Sequence, residues 1–369
     1  MIEQSYTLNR QNFLNAAKTA GAYIDHIPYK RSVDKDVDLV TDIAILGANS
    51  PKQIVIVSSG LHGVELPAGS LLQQIWLSEI SNILSQTPNT KFLFVHALNP
   101  YGAMFGTRTD WGINGQKNID PARNFIDFSK AENTANYDVV AALRDADLSL
   151  YGAVKMWVKL LYSAFFEQGQ SAFKKGFVRG QYTDPDIPYF GGGEPCLARL
   201  TWEEILSKYV EGTEVSKIWH LDCHTGDGPF GALQLYINDR EGAHVYRDAC
   251  QLMTPEKVQM TEKYFADISG DIVDYWSSYR IGNAKVTPMT LEFGTSAAKI
   301  QGIDVLRAIL NRTILQNKFN DNHPKAAQII QDMRNAFSPL TSEWEHSVKV
   351  QSKELWGHFA RYIVAACSP

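Results

Sequence analysis

The chain is poor in cysteine, with four in 369 residues (Cys196, Cys223, Cys250 and Cys367), and it has no CxxC pair. That excludes a disulfide scaffold and a cysteine-built structural zinc site. Free thiols in a reducing compartment, the cytoplasm, are the expectation. No uninterrupted apolar run is long enough to span a bilayer. The start, Met1-Ile2-Glu3-Gln4-Ser5-Tyr6, lacks the basic and apolar regions of a signal peptide. Neither sign of charge dominates, and the formal net charge of −5 predicts no nucleic-acid partner and no membrane partner. There is no Gly-x-Ser-x-Gly elbow, the glycine triplet Gly191-Gly192-Gly193 has no phosphate-loop Lys-Ser/Thr behind it, and no internal repeat or low-complexity tract occurs. What remains is an ordinary globular composition, 44% hydrophobic and 20% charged.

The pattern that is present alternates strand and helix. Ile54 to Val57 is a strand-type apolar run that breaks through Ser58-Ser59-Gly60 and continues from Leu66 to Leu77 as a buried helix with Pro67 in its first turn. Lys91 to Leu98 is a second apolar strand ending in the turn Asn99-Pro100-Tyr101-Gly102. Strand, helix and strand at this spacing make a βαβ unit. The fold class expected is therefore α/β, a mixed and mainly parallel central sheet flanked by helices. It is read as one domain over residues 1–369, with a mostly helical insertion at about 131–176. Ahead of the unit, the pattern predicts a helix from Arg10 to Ile24 and an edge strand from Val37 to Leu46. Behind it come a long polar loop at 103–129, an aromatic, glycine-rich loop at 176–193, a strand that runs into a polar, glycine-rich end within 217–228, strands at 233–237 and 286–293, and helices at 241–253, 303–316, 323–336 and 341–366.

Three predicted strand ends carry metal-ligand chemistry. His62 and Glu65 stand three residues apart where a strand hands over to a helix, and His224 stands where a strand runs into a polar, glycine-rich end in the stretch Lys217 to Gly228. Glu292 ends the late strand. Ligands collect at the carboxyl ends of strands in open α/β folds. Two imidazoles and a carboxylate, with one position left open, form a catalytic zinc set. Glu292 then takes a proton from the attacking water as general base. Arg108 and Arg123, in the polar loop, are suited to stabilise an oxyanion or to hold a substrate carboxylate through two parallel hydrogen bonds. On a strand His220, Asp222 and His224 share one face, so Asp222 and His220 are candidates to orient a ligand, while Cys223 points the other way.

Five segments carry a resemblance, and two further stretches fit it. His62-x-x-Glu65 after a strand resembles the zinc motif of the M14 metallocarboxypeptidase superfamily, and Asn99-Pro100-Tyr101-Gly102 is similar to its Asn-Pro-x-Gly turn. Asp120-Pro121-Ala122-Arg123-Asn124-Phe125 resembles its Asp-x-Asn-Arg-Asn-Phe segment. Asp222-Cys223-His224-Thr225-Gly226 and Leu291-Glu292-Phe293-Gly294-Thr295 resemble segments of the DUF2817 branch, as do Gly180-Gln181-Tyr182 and Tyr189-Phe190-Gly191-Gly192. The resemblance covers about residues 35–310. It implies a zinc-dependent hydrolase of amide bonds. Zn2+ would be held by His62, Glu65 and His224, and Glu292 would be the base. Arg108 and Arg123 would be catalytic, with Arg123 and Asn124 binding a small-molecule or peptide substrate that carries a carboxylate. The superfamily's mobile tyrosine is represented only by candidates of position, Tyr275 and Tyr279, of which Tyr279 is taken as substrate-binding. One departure stands out: Ala122 replaces the asparagine that helps bind a terminal carboxylate. That weakens exopeptidase action against an N-acyl amino acid deacylase of the aspartoacylase/succinylglutamate desuccinylase type. A non-catalytic zinc-binding relative and a serine esterase built on Ser58-Ser59-Gly60 are the remaining alternatives, and a homo-oligomer is left open.

Overall fold

The computed structural model describes residues 2–31, 38–131, 148–149, 158, 179–261, 270–296, 303–319 and 321–367. The expected helical insertion at 131–176 lies almost wholly outside the described residues. An eight-stranded sheet in the order β1-β2-β4-β3-β5-β8-β6-β7 forms the centre. Its strands are β1 Tyr23–Pro28, β2 Val40–Gly47, β3 Gln53–Ser59, β4 Thr90–His96, β5 Lys217–Thr225, β6 Leu233–Ile237, β7 Val258–Met260 and β8 Lys285–Phe293. The block β4-β3-β5-β8 is parallel throughout, as is β6 with β7. Antiparallel pairs join β1 to β2, β2 to β4 and β6 to β8. The sheet is thus mixed and mainly parallel, as expected.

Two expectations at the amino end shift. Helix α1 spans Tyr6–Thr19, capped by the Ser5 hydroxyl, and stops ahead of Gly21, which sits at φ +74°. Tyr23 and Ile24, expected to end the helix, instead open β1, so β2 is an interior strand and β1 takes the edge. Pro28 is tolerated there, because an edge strand can spare a donor.

Strand alternation sorts the core into two layers. Val55, Val57, Phe92, Phe94, Trp219, Leu221, Cys223, Leu291 and Phe293 face one way. They pack under α1, the helix α2 (Leu66–Glu79) and the helix Ser342–Cys367, which brings Trp344, Trp356 and Phe359. Ile54, Ile56, Leu93, Val95 and Ile218 face the other way, against Trp202 and Ile205 of the helix Leu197–Tyr209 and Trp276 of the helix Ile272–Ser278. Burying one such side chain is worth roughly 1.5–3 kcal/mol, so both layers are strongly held. No helix among the described residues is long and apolar enough to cross a membrane.

A buried histidine makes this core pH-sensitive. His96, at the end of β4, stacks on Phe13 with 4.5 Å between ring centroids, and its Nε2 lies 3.0 Å from the Ser70 hydroxyl. Burial is the main reason its pKa falls from 6.5 to about 4. The folded state therefore holds His96 neutral, and that stability is complete above 6.5 and is lost as the pH falls through 6.5 towards 4. At pH 5 the loss is about 2 kcal/mol. Expected outcome: His96→Phe lowers stability at pH 7 but shrinks the difference in unfolding free energy between pH 7 and pH 5 by about that amount, measured by urea titration with chelator present. An unchanged difference would rule His96 out as the source.

Candidate metal centre

The sheet topology decides where a site can form. The chain leaves β3 through α2 to β4 on one side, while β5 and then β8 lie on the other. The strand order therefore reverses at β3, and a crevice opens beyond the carboxyl ends of β3 and β5. His62 and Glu65 follow β3 on a short 3₁₀ turn, Gly63–Glu65, and His224 is next to last in β5. Glu292 sits directly beside His224 in the β5–β8 register. Gly63 is required between the histidine and the glutamate, because a Cβ there would lie 2.0 Å from the Ala103 nitrogen. The Asn99-Pro100-Tyr101-Gly102 turn presses on it from behind. It is held by the Asn99 side chain, whose Oδ1 accepts from the Gly102 N–H at 2.8 Å and whose Nδ2 donates to the Thr109 carbonyl.

One ligand atom each from His62, Glu65 and His224 lies within 4.8 Å of the others, and all three residues are buried. The hydrogen bonds show how they are aimed. His62 Nε2 lies 3.0 Å from Asp120 Oδ1, and His224 Nε2 lies 2.6 Å from Asp222 Oδ2. His62 Nε2 also lies 2.9 Å from Arg108 Nη2, so each imidazole turns Nε2 outward to its charged neighbours and Nδ1 inward to Glu65. His62 Nδ1 is 2.9 Å from Glu65 Oε1, yet it is a buried atom with no hydrogen-bond partner. The oxygen lies off the direction a bond would need. His224 Nδ1 is 3.0 Å from Glu65 Oε2. Two Nδ1 atoms thus converge on the two oxygens of one carboxylate, and an outer carboxylate stands behind each ring. This is the arrangement in which histidine binds a metal. Nitrogen and oxygen donors without thiolate suit zinc in a site with an open position. The residues present fit the group.

The electrostatics follow from burial and charge. Burial alone would raise the Glu65 carboxyl, but His62, His224 and Arg108 reverse this and hold it well below the usual range. Asp120 is likewise driven down against its burial by Arg108, His62 and Arg123. Burial would lower the His224 imidazole, but Asp222 and Glu65 outweigh it and push its proton affinity well up. A cation at Nδ1 competes with that proton. Glu292 goes the other way: burial, then the charge of Glu65, raises it to about 8. Its Oε1 accepts the Asp227 backbone N–H at 2.8 Å.

Arg108 is brought into the cluster. Its Nη1 donates to Glu65 Oε1 at 2.7 Å and its Nη2 lies 3.4 Å from Asp120 Oδ2. Arg123 is buried on the 3₁₀ turn Pro121–Arg123, with Nη1 on the Ala122 carbonyl at 2.7 Å. Between the two arginines lies the ring of Tyr189, 5.8 Å from each guanidinium carbon. Tyr189 holds φ +61°, a strained conformation outside glycine. It is the tyrosine the structure places at the centre.

Tyr279 and Tyr275 are not brought there. The Tyr279 hydroxyl donates to Glu211, its ring stacks on Tyr275, and it lines a cavity of about 780 Å3 beside the amino end of β8, the end opposite Glu292. The helix Ile272–Ser278 runs away from the centre and carries both residues off. Asn124 is adjacent to Arg123 but is spent on structure: Nδ2 donates to the Gly191 and Glu194 carbonyls, and Oδ1 accepts from the Cys196 N–H. Its expected substrate contact has no free group to make it. Asp120 is the residue whose part sequence reasoning missed. The structure shows it holding His62 and Arg108. The serine esterase alternative also fails. Ser58 is fully buried and gives its proton to Asp222, so its oxygen cannot reach a substrate.

The profile described as "Protein of unknown function (DUF2817)" matches residues 3–351. The chain belongs to the DUF2817 family. The branch named from the five sequence segments is thus borne out over nearly the whole chain. No curated protein matches this DUF2817 member. Among solved structures it is similar to thrombin activatable fibrinolysis inhibitor, at 10% identity and TM-score 0.46 over 94% of this chain and 74% of that one. The bovine form of that protein, in complex with tick carboxypeptidase inhibitor, gives 10% and 0.45 over 99% and 98%. A metallo-carboxypeptidase from Burkholderia cenocepacia gives 11% and 0.42 over 96% and 69%.

Proposed function

We propose that this DUF2817 protein is a zinc-dependent hydrolase of amide bonds. The carrying observation is the pair of imidazoles that turn Nδ1 onto Glu65 while Asp120 and Asp222 hold their Nε2 atoms. When bound, zinc supplies Lewis acidity and lowers the pKa of water. The chain's own residues do the rest. Glu292, beside His224 and outside the ligand set, accepts the proton of the attacking water and passes it to the leaving amine. The Asp227 N–H keeps its carboxyl aimed. Arg108, fixed by Glu65 and Asp120, faces the negative charge that develops on the carbonyl oxygen. Arg123 binds the substrate's carboxylate, and the Tyr189 ring between the arginines shields both from water.

A specific observation favours the deacylase over the exopeptidase. At position 122 the clamp has a methyl group, 3% exposed and packed with Ile119 and Phe125, and Asn124 is engaged by backbone. Position 122 thus offers a substrate no hydrogen-bonding amide, so a small N-acyl amino acid, which presents a carboxylate without an extended peptide, is the substrate class we assign.

Metal analysis of the purified protein tests this directly. About one zinc per chain is expected, removed by chelation together with the hydrolysis of N-acyl amino acids and restored with it. A chain that takes up no zinc on add-back would sink the proposal. A milder change probes the outer carboxylate. Asp120→Asn keeps an oxygen for His62 but weakens the hold on its proton, and zinc affinity is expected to fall about 10- to 100-fold in competition with a chromophoric chelator. Wild-type affinity would mean that Asp120 serves Arg108 alone.

A further inference from the structure

Behind His224 a line of hydrogen bonds runs 'backwards' through the sheet to a residue far from any ligand. The indole Nε1 of Trp276 donates to His220 Nδ1 at 2.9 Å. His220 Nε2 lies 2.8 Å from the Ser58 hydroxyl oxygen. Ser58 donates to Asp222 Oδ1 at 2.5 Å, and Asp222 Oδ2 lies 2.6 Å from His224 Nε2. Ser58, His220 and Asp222 are 0% exposed and Trp276 is 5% exposed, so water does not break the line. It crosses β3, β5 and the helix Ile272–Ser278, and the register that pairs Ser58 with Asp222 brings it together.

We propose that Trp276 is a positioning residue for the metal centre, fixing the direction of the relay Trp276–His220–Ser58–Asp222–His224 and thereby presenting His224 to a divalent cation through Nδ1. The inference rests on the reading of His224 as a metal ligand. Its logic is donor counting. An indole N–H can only donate, so His220 Nδ1 must accept, and the neutral ring carries its proton on Nε2. That proton goes to Ser58. The hydroxyl has one proton of its own and two neighbours able to receive it, His220 and Asp222. With His220 already donating, the proton goes to Asp222. Both Asp222 oxygens are then engaged, one by Ser58 and one by His224, so the carboxylate cannot rotate and the His224 ring is held with Nε2–H outward and Nδ1 towards Glu65. Without the indole, His220 is free to take its other tautomer and accept from Ser58, which leaves Asp222 Oδ1 without a donor. Burial supports the neutral state of His220, whose pKa is lowered to about 4. Stacking on Trp202 at 4.6 Å holds the ring against flipping.

The test combines two variants and a spectroscopic readout. Long-range proton–nitrogen correlation spectra of the wild-type protein are expected to show His220 as the Nε2–H tautomer, and those of Trp276→Phe to show it lost. The zinc dissociation constant, from chelator competition, is expected to rise about tenfold in Trp276→Phe, the lower edge of what an outer partner contributes. Ser58→Ala should do the same. The double variant should be no weaker than Ser58→Ala alone, because both substitutions cut one line. Melting temperature reads any packing loss separately. Wild-type affinity in Trp276→Phe, or losses that simply add in the double variant, would overturn the relay. If the wild-type protein takes up no zinc, the metal reading itself has failed. The His220 tautomer in the metal-free protein then decides: Nε2–H in the wild type and its loss in Trp276→Phe support the relay, and any other result overturns it.

Discussion

Glu292→Gln is expected to retain its zinc and to lose turnover by about 10²–10⁴-fold, the usual contribution of a positioned general base. The amide has nearly the shape of the carboxyl and its oxygen can still accept the Asp227 N–H, so the local geometry survives. It cannot take up a proton. Metal should persist because the converging ligand atoms come from His62, Glu65 and His224 and not from Glu292. The fold should not suffer either. Burial and the Glu65 charge already hold the metal-free Glu292 carboxyl largely neutral near pH 7, so a neutral amide changes the charge of the fold little. Metal content and single-turnover hydrolysis on the same preparation check this. An unchanged rate would remove Glu292 from the mechanism, and lost metal would make it a ligand.

His224→Ala should have the largest effect of any single substitution. One of three ligand atoms disappears, and zinc affinity is expected to fall by more than the about 100-fold that loss of a mere outer partner reaches. A second penalty appears without metal. The His224 ring stands between Glu65 and Asp222, both buried, and its removal leaves two carboxylates facing each other. Breaking a buried ion pair from one side costs about 3–5 kcal/mol. The variant should therefore melt well below the wild type even in chelator. His62→Ala should lose metal equally but destabilise less, since Arg108 remains on both Glu65 and Asp120. His358→Ala, exposed on the helix Ser342–Cys367, serves as control. Zinc retained at one per chain in His224→Ala would refute the centre described above.

The strands that carry the centre were legible because each is an apolar run that ends abruptly in glycine and polar residues, as at Val57-Ser58-Ser59-Gly60 and His224-Thr225-Gly226. The period-2 pattern also placed Cys223 and His224 on opposite faces, which the core confirms. Short or weakly patterned pieces were not legible. β1 reads as the end of a helix at Ile24 and a connector through Pro28, and β7 has three residues. Their strand character comes from a neighbour offering a free edge, which local sequence does not encode.

The same division runs through the candidate centre. Sequence by itself determined which residues are candidates for the ligand set and for the base, since zinc chemistry allows few residue types and strand ends are where such residues can meet. Only the tertiary structure decided which groups stand behind them. That Asp120 holds His62, that Tyr189 and not Tyr279 lies beside the arginines, that Asn124 is consumed by backbone and that Trp276 ends the line through Ser58 all depend on the directions of contacts between residues 56 to 164 apart. Spacing along the chain carries no information about such directions. They arise when buried polar groups must pair, and the pairing is settled by how the layers pack.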